Sequence, residues 1–355
     1  MLEYSSPADI NPSSFPDKVS LPSFCTYTGK VWNTKVNVHW KEAEAGSYAW
    51  FDSYGLFNDG RRRQEFFDTN FGLMAATILA DADLEHLRPS MDYMLWLFAF
   101  DDWCDVECSQ DVGEAGQALR SIMDTLRNPD VAQPKLKVVA ALHHFFNRMR
   151  ANSSPRTIHR FVEAADFFTQ AVLRQTVNRS IDYVPTIEEY IKVRQDTSST
   201  KMFYSVLEYS LGFDLPDEVH NDPILTELKV AGNDIVNWIN DVYSFPVEYA
   251  RGDTHNLVFV VMWNERLDLE GAISYVDQLT RKRLQEYVDA KAQLPSFGSK
   301  LDPQVAQYVQ GLEYSFQGFN EWQFLTPRYF GADAGKVNET GIMDITALKK
   351  RRTHI

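Results

Sequence analysis

Phe100-Asp101-Asp102-Trp103-Cys104-Asp105 sets three carboxylates into a run of large apolar and aromatic side chains. Burying a carboxylate is costly unless something positive meets it, so this cluster asks for cations. On a helix Asp101 and Asp105 are i, i+4 neighbours, separated by about 6 Å of rise on one face. Two acidic ligands so placed suit hard divalent ions. Just upstream, Met94-Leu95-Trp96-Leu97-Phe98-Ala99-Phe100 is the longest apolar run of the chain. It falls far short of the roughly 20 residues of a membrane span and reads as a core helix.

Around this stretch the pattern is helical almost throughout. From about Val38 apolar residues recur at three and four, and alternating β-branched runs are scarce, so the fold class is all-α. Expected helix breaks fall near Arg88-Pro89-Ser90, Asn128-Pro129-Asp130, Asn152-Ser153-Ser154-Pro155, Tyr183-Val184-Pro185, Asp214-Leu215-Pro216 and Leu294-Pro295-Ser296. None has the length of an interdomain linker and no repeat is visible, so one domain is expected over 23–331. Residues 1–22, rich in Pro, Ser and Asp, read as a loose arm. Residues 332–355, ending in Lys349-Lys350-Arg351-Arg352, read as a solvated polar and basic tail.

Composition narrows the function. The 355 residues suffice for a sizeable core, and 23 Phe, 16 Tyr and 8 Trp exceed what helix packing alone needs, so some rings are free to line a cavity. Thirty-five basic residues against 49 acidic ones give a net charge of −14, which repels nucleic acid and anionic membrane. Three cysteines are too few for a disulfide framework, and the start shows no charged-then-apolar leader. A reduced, cytoplasmic protein without stable membrane insertion is expected, as a monomer or homodimer.

A second constellation lies about 140 residues on, in Asn240-Asp241-Val242-Tyr243-Ser244-Phe245-Pro246-Val247-Glu248. Asn240, Ser244 and Glu248 recur at i, i+4 and i+8, within an arc of roughly 80° over two helical turns. Three oxygen donors on one face make a further site for a hard cation. So few protein ligands per Mg²⁺ imply that phosphate oxygens complete the shell. Met94, Leu97 and Phe98 share the face of Asp101 one to two turns deeper and are predicted to line a cavity. Asn233, Val236 and Asn237 share the face of Asn240. The two amides either orient a water or a cation in that cavity or bond neighbouring helices.

Asp101-Asp102-x-x-Asp105 followed by Asn240-Asp241-x-x-Ser244-x-x-x-Glu248 resembles the paired metal motifs of class I terpene synthases. The resemblance runs from about residue 38 to 331. Arg194 stands 46 residues before Asn240, where that family places a diphosphate-sensing arginine. Arg251-Gly252-Asp253 follows the second motif as in fungal members. Asn320-Glu321-Trp322 and Arg328-Tyr329-Phe330-Gly331 resemble the family's Trp and its Arg-Tyr pair.

The resemblance implies a single-domain antiparallel helical bundle around an apolar cavity, with both motifs at its mouth. It also implies metal ligation by Asp101, Asp105, Asn240, Ser244 and Glu248, with three Mg²⁺ expected and Mn²⁺ a substitute. Asp102 would pair with Arg328. Arg194, Arg328 and Tyr329 would bind diphosphate and, with Asp101, serve catalysis; arginine's planar donor fork matches phosphate oxygens. Trp322 and Phe66 are added as candidate pocket rings. The implied reaction is ionisation and cyclisation of farnesyl diphosphate to a sesquiterpene, a lyase step of isoprenoid secondary metabolism. The alternatives are a prenyltransferase elongating allylic diphosphates, or a non-catalytic isoprenoid-binding protein on the same shell. Ten- and twenty-carbon substrates, and the product, stay open.

Some positions depart from the family or have bland readings. Val247 stands where many members carry Lys, so one diphosphate contact is missing or supplied elsewhere. Pro246 is expected to kink the helix before Glu248. A break is expected at Thr197 to Ser199, whose side chains compete with helical hydrogen bonds. Cys104 and Cys108 lack the His partners a zinc site would need. His143 and His144 do not share a helix face and read as packing or surface residues. Trp32, Trp40 and Trp50 read as core.

Overall fold

The computed structural model describes residues 6, 9–107 and 112–351, with side chains described for all of these except 105–107 and 349–351. Helices dominate it, as the spacing of apolar residues predicts. Short helices α1 (Phe24–Thr28), α2 (Trp40–Asp52), α3 (Gly60–Asp68) and α4 (Phe71–Ile78) lead into α5 (Leu84–Glu107), which carries the first carboxylate motif. Then come α6 (Val112–Arg127), α7 (Lys137–Ala151), α8 (Pro155–Ser180), α9 (Ile187–Thr197), α10 (Thr200–Ser210) and α11 (Asp217–His220). The second motif lies on α12 (Pro223–Arg251). After it follow α13 (Leu257–Glu265), α14 (Leu269–Lys291), α15 (Asp302–Trp322), α16 (Pro327–Phe330), α17 (Ala334–Thr340) and α18 (Thr346–Arg351). The architecture is that of an all-α bundle. Among the described residues no helix is long and apolar enough to cross a membrane.

Local signals set the helix ends. Ser154 Oγ accepts from Thr157 N at 3.2 Å with Pro155 in the first turn of α8. Thr186 and Glu189 form a reciprocal capping box at α9. Asp222 caps α12 through Ile224 N and Leu225 N, and Gly252, at φ +83°, ends it in a left-handed conformation that costs glycine little.

Two expected interruptions are absent. The break near Arg88-Pro89-Ser90 instead lies at 79–83, where Asp83 Oδ1 accepts from His86 N at 2.9 Å and starts α5. Pro89 sits in the second turn, where it costs one backbone bond. The kink expected at Pro246 does not divide α12, which is helical from Pro223 to Arg251. Phe245 and Tyr249, flanking the proline, both pack on Phe15.

That contact belongs to a second correction. The arm expected over residues 1–22 is docked where it is described: Ile10, Phe15 and Val19 are buried, and Tyr249 donates from its hydroxyl to Ile10 O at 2.5 Å. The tail is docked too. Strand β1 (Lys18–Ser20) pairs antiparallel with β2 (Ile342–Asp344), Val19 opposite Met343, and Val337, Met343, Ile345 and Leu348 are buried. Three-residue strands are too short for a period-two pattern to show. The basic side chains of 349–352 lie outside the described residues.

Helices α4, α5, α8, α9, α10, α12, α15 and α16 enclose a central cavity. Around it α12 packs on α14 and α15, α5 on α2, α4 and α7, and α8 on α6, α9 and α10. Rings fill the joints: Trp32 is buried edge-on to Tyr287 at 5.3 Å, and Trp96 stacks on Phe100 at 5.6 Å. Trp40 and Trp50 are half-buried against this core. Each such ring contributes about 1.5–3 kcal/mol when fully buried.

Candidate active site

The cavity encloses about 230 Å³ and takes residues from both sequence motifs. Helix α5 presents Met94, Leu97, Phe98 and Asp101 to it, the i, i+3, i+4, i+7 face read from the sequence. Helix α12 presents Val236, Asn237, Asn240, Ser244, Val247 and Glu248. The depths are apolar, closed by Met74 and Ile78 of α4, Phe168 of α8, Phe203 of α10, and Phe316 and Phe319 of α15. The polar end gathers Asp101, Arg194, Asn240, Ser244, Glu248, Arg328 and Tyr329. Asp105, the remaining expected ligand, has its side chain outside the described residues.

Helix α16 joins the two motifs. Arg328 Nη2 donates to Asp102 Oδ1 at 2.9 Å and reaches Asp101 Oδ2 at 3.4 Å, with its guanidinium over the Phe98 ring. Asp102 therefore pairs with Arg328, as the resemblance implies. On the other side Asn240 Nδ2 donates to Tyr329 Oη at 3.1 Å and to Gln323 Oε1 at 2.9 Å. Asp101 is 60% accessible because it faces the cavity. The protein body around it still lifts its pKa by desolvation, opposed by Arg328. Burial also raises the Tyr329 hydroxyl to about 12, so it remains a donor.

Arg194 is held by α12. Its Nε donates to Asp241 Oδ1 at 3.0 Å and its Nη2 to Asn240 Oδ1 at 2.9 Å. Asp241 also accepts from Tyr190 Oη at 2.6 Å and Leu257 N at 3.2 Å, so this buried carboxylate has three donors. Desolvation works against the Arg194 charge, but Asp241, with Tyr190 and Glu248, outweighs it and its pKa is raised. Just beyond, α9 stops at Thr197 and α10 starts at Thr200, with Ser199 at φ +59°. The predicted break is present, and Thr197 to Thr200 line the cavity beside Arg194.

The α12 donors fit a hard divalent cation. Ser244 Oγ is buried with no hydrogen-bond partner among the described residues, which leaves an oxygen lone pair to offer. Burial, then the nearby Asp253 and Asp241 carboxylates, pushes Glu248 up to about 8, although Asn256 Nδ2 donates to it at 2.9 Å. A carboxylate destabilised by its neighbours gains when a cation joins it. Among the described residues no group of three or more His, Cys, Asp or Glu is placed to hold a metal. The donor set thus depends on the Asn240 amide and Ser244 hydroxyl, an oxygen set suited to Mg²⁺-like ions.

Two expected pocket residues are elsewhere. Trp322 is fully buried behind the wall, its Nε1 donating to Thr69 O at 3.1 Å and Asn70 O at 3.2 Å, with Phe98, Phe319 and Tyr329 around it. Phe66 lies one ring further out, stacked on Phe51 at 5.0 Å and touching Phe71, which meets Phe98 at 4.3 Å. Aromatic content cannot tell a ring that faces the cavity from one that backs it. Asn233 also turns away from the cavity, donating to Gln195 O at 2.9 Å.

Sequence reading missed Arg179 and His255, and noted Asp253 only within Arg251-Gly252-Asp253. Arg179 sits near the end of α8, far from either motif, and its Nε donates to Asp253 Oδ1 at 3.1 Å. All three line the cavity, as do Val247 and Arg251. Desolvation, then Arg179, lowers His255 to about 3 as Asp253 opposes them, so it is neutral. Only the adjacency of Asp253 and His255 to Arg251-Gly252 hinted at this group. His143 Nε2 donates to Pro129 O and His144 Nδ1 accepts from Trp50 Nε1, both in packing contacts.

Known proteins resemble this chain in sequence and fold. The family described as "Terpene synthase family 2, C-terminal metal binding" matches residues 92–286. "Sesquiterpene synthase 3" of Postia placenta is 37% identical over 305 residues, covering 86% of this chain and 82% of that protein. "Sesquiterpene synthase Agr1" of Cyclocybe aegerita is 34% identical, covering 92% of this chain and 93% of that protein. The crystal structure of a-eudesmol synthase superposes with a TM-score of 0.75 at 19% identity, over 83% of this chain and 97% of that one, a likeness of fold. The chain belongs to the terpene synthase family and contains its metal-binding domain.

Proposed function

We propose that the protein is a sesquiterpene synthase, which ionises farnesyl diphosphate with Mg²⁺, cyclises the cation and releases diphosphate. The observation that carries this reading is one cavity with two chemistries. Its mouth joins Asp101 to Asn240, Ser244, Glu248, Arg194 and Arg328, and its depths are aliphatic and aromatic.

Asp101, with Asp105, and the trio Asn240, Ser244 and Glu248 are assigned as ligands of three Mg²⁺ ions, a role Mn²⁺ can fill. Bound there, the metal supplies Lewis-acid charge for the diphosphate oxygens. Arg194, Arg328 and Tyr329 orient the same group with directed N–H and O–H donors. When the carbon–oxygen bond breaks, its electron pair leaves with diphosphate and the allylic cation stays in the cavity. Phe98, Phe168, Phe316 and Phe319 offer ring faces that attract positive charge without trapping it. The closed apolar wall excludes water until a proton is lost.

The test is incubation of purified protein with geranyl, farnesyl and geranylgeranyl diphosphates separately, with and without Mg²⁺. Extracts are read by gas chromatography with mass spectrometry. A magnesium-dependent cyclic C15 hydrocarbon or alcohol is expected. A longer prenyl diphosphate formed when isopentenyl diphosphate is added would overturn the cyclase reading.

A further inference from the structure

We propose that the side-chain oxygen of Asn237 is a specificity-determining group, a fixed dipole that selects among carbocations in the cavity; this rests on the synthase reading above. Asn237 lies three residues before Asn240, so about one helical turn deeper than the metal-binding end. It lines the same cavity as Met94, Leu97 and Phe98. An amide in such surroundings is costly unless its groups are used.

Hydrogen-bond direction fixes which end faces inward. Gln195 O, a backbone carbonyl, can only accept, so the Asn233 group 2.9 Å from it is the NH₂. Asn233 Oδ1 therefore points the other way, where Ser198 Oγ donates at 3.1 Å. The Asn237 group 2.5 Å from that same oxygen must also donate. Asn233 O, 2.8 Å from the Asn237 nitrogen, makes the same demand. Both N–H bonds of Asn237 are thus spent on Asn233, and its carbonyl oxygen is left to the cavity. The assignment follows from a chain of partners and does not depend on telling N from O directly.

The consequence is chemical. A carbonyl oxygen carries partial negative charge, and here it cannot rotate without breaking two bonds. It favours whichever cation places its charge nearest, and this acts at branch points where competing barriers are close. The anchor is Gln195, in the last turn of α9, and Ser198, at the break that follows, so the dipole is oriented from the segment that also carries Arg194. Asn233 is a positioning residue.

The test compares Asn237→Leu and Asn233→Ala with wild type on farnesyl diphosphate, measuring product ratios and diphosphate release, with circular dichroism as the folding check. Leucine keeps the branching and heavy-atom count and removes the dipole, while Asn233 Oδ1 keeps its Ser198 donor. The expected result is a change of about tenfold in the ratio of the two main products, about 1.4 kcal/mol between barriers, while diphosphate is still released. Asn233→Ala, which frees the amide to turn, is expected to shift the ratio too, and the double variant to match Asn237→Leu alone. Unchanged ratios in Asn237→Leu, or additive effects in the double variant, overturn the inference and leave the synthase reading standing. Failure of the wild type to release diphosphate overturns both.

Discussion

Replacing Asp241 by Asn tests whether this residue of the second motif holds Arg194 and does not face the metal end. Asp241 accepts from Arg194 Nε, Tyr190 Oη and Leu257 N. An Asn side chain must point its NH₂ at one side or the other. Toward Arg194 it sets donor against donor beside a cation. Toward Tyr190 the hydroxyl can turn and accept, but the Leu257 amide loses its acceptor. Either way a buried donor is stranded, at about 1–3 kcal/mol, and the lost charge weakens the Arg194 bond by a similar amount, so about 3 kcal/mol in all is expected. An unfolding entropy of about 2.1 cal/mol/K per residue over 355 residues turns this into about 4 °C of melting temperature. The assays are thermal unfolding without metal and steady-state diphosphate release. A raised KM for farnesyl diphosphate is expected with the lower melting point, because Arg194 loses its anchor. An unchanged melting temperature with unchanged KM would refute this account of Asp241.

Three further outcomes follow from particular atoms. Ser244→Ala removes a buried hydroxyl that has no partner among the described residues; metal-free stability should hold or rise by about 1 kcal/mol, while a Mg²⁺ titration of activity should shift to roughly tenfold higher concentration. Trp322→Phe removes the donor to Thr69 O and Asn70 O; a loss of about 1–3 kcal/mol in urea unfolding is expected, with product ratios unchanged because the ring backs the wall. His255 is lowered to about 3 by burial, so the folded protein prefers it neutral. Its contribution is fully present above about pH 6.5 and is lost as pH falls toward 3, by at most about 1.4 kcal/mol per pH unit. Urea midpoints at pH 7 and pH 5 should therefore differ less in His255→Gln than in wild type.

Much of the site was legible because a helix turns spacing into direction. Asp101 with Met94, Leu97 and Phe98, and Asn240 with Ser244 and Glu248, each share a face by arithmetic on 3.6 residues per turn, and each set lines the cavity. The break at Thr197 to Ser199 was legible for a related reason: a run of small hydroxyl residues competes with the helix backbone. Proline misled at Pro89 and Pro246, where position in the helix and the packing of Phe245 and Tyr249 outweighed one lost bond.

The sequence by itself determined the all-α class, the two ligand-bearing faces and their order along the chain, since these depend on local periodicity and residue chemistry. Only the tertiary structure decided which rings front the cavity and which back it, as with Phe98 before Trp322 and Phe66. It also decided that Arg179, remote from both motifs in sequence, lines the same cavity as Val247, and that Lys18–Ser20 pairs with Ile342–Asp344. Such placements come from contacts between residues tens to hundreds of positions apart. No local pattern encodes them, because the pairing exists only after the helices have packed.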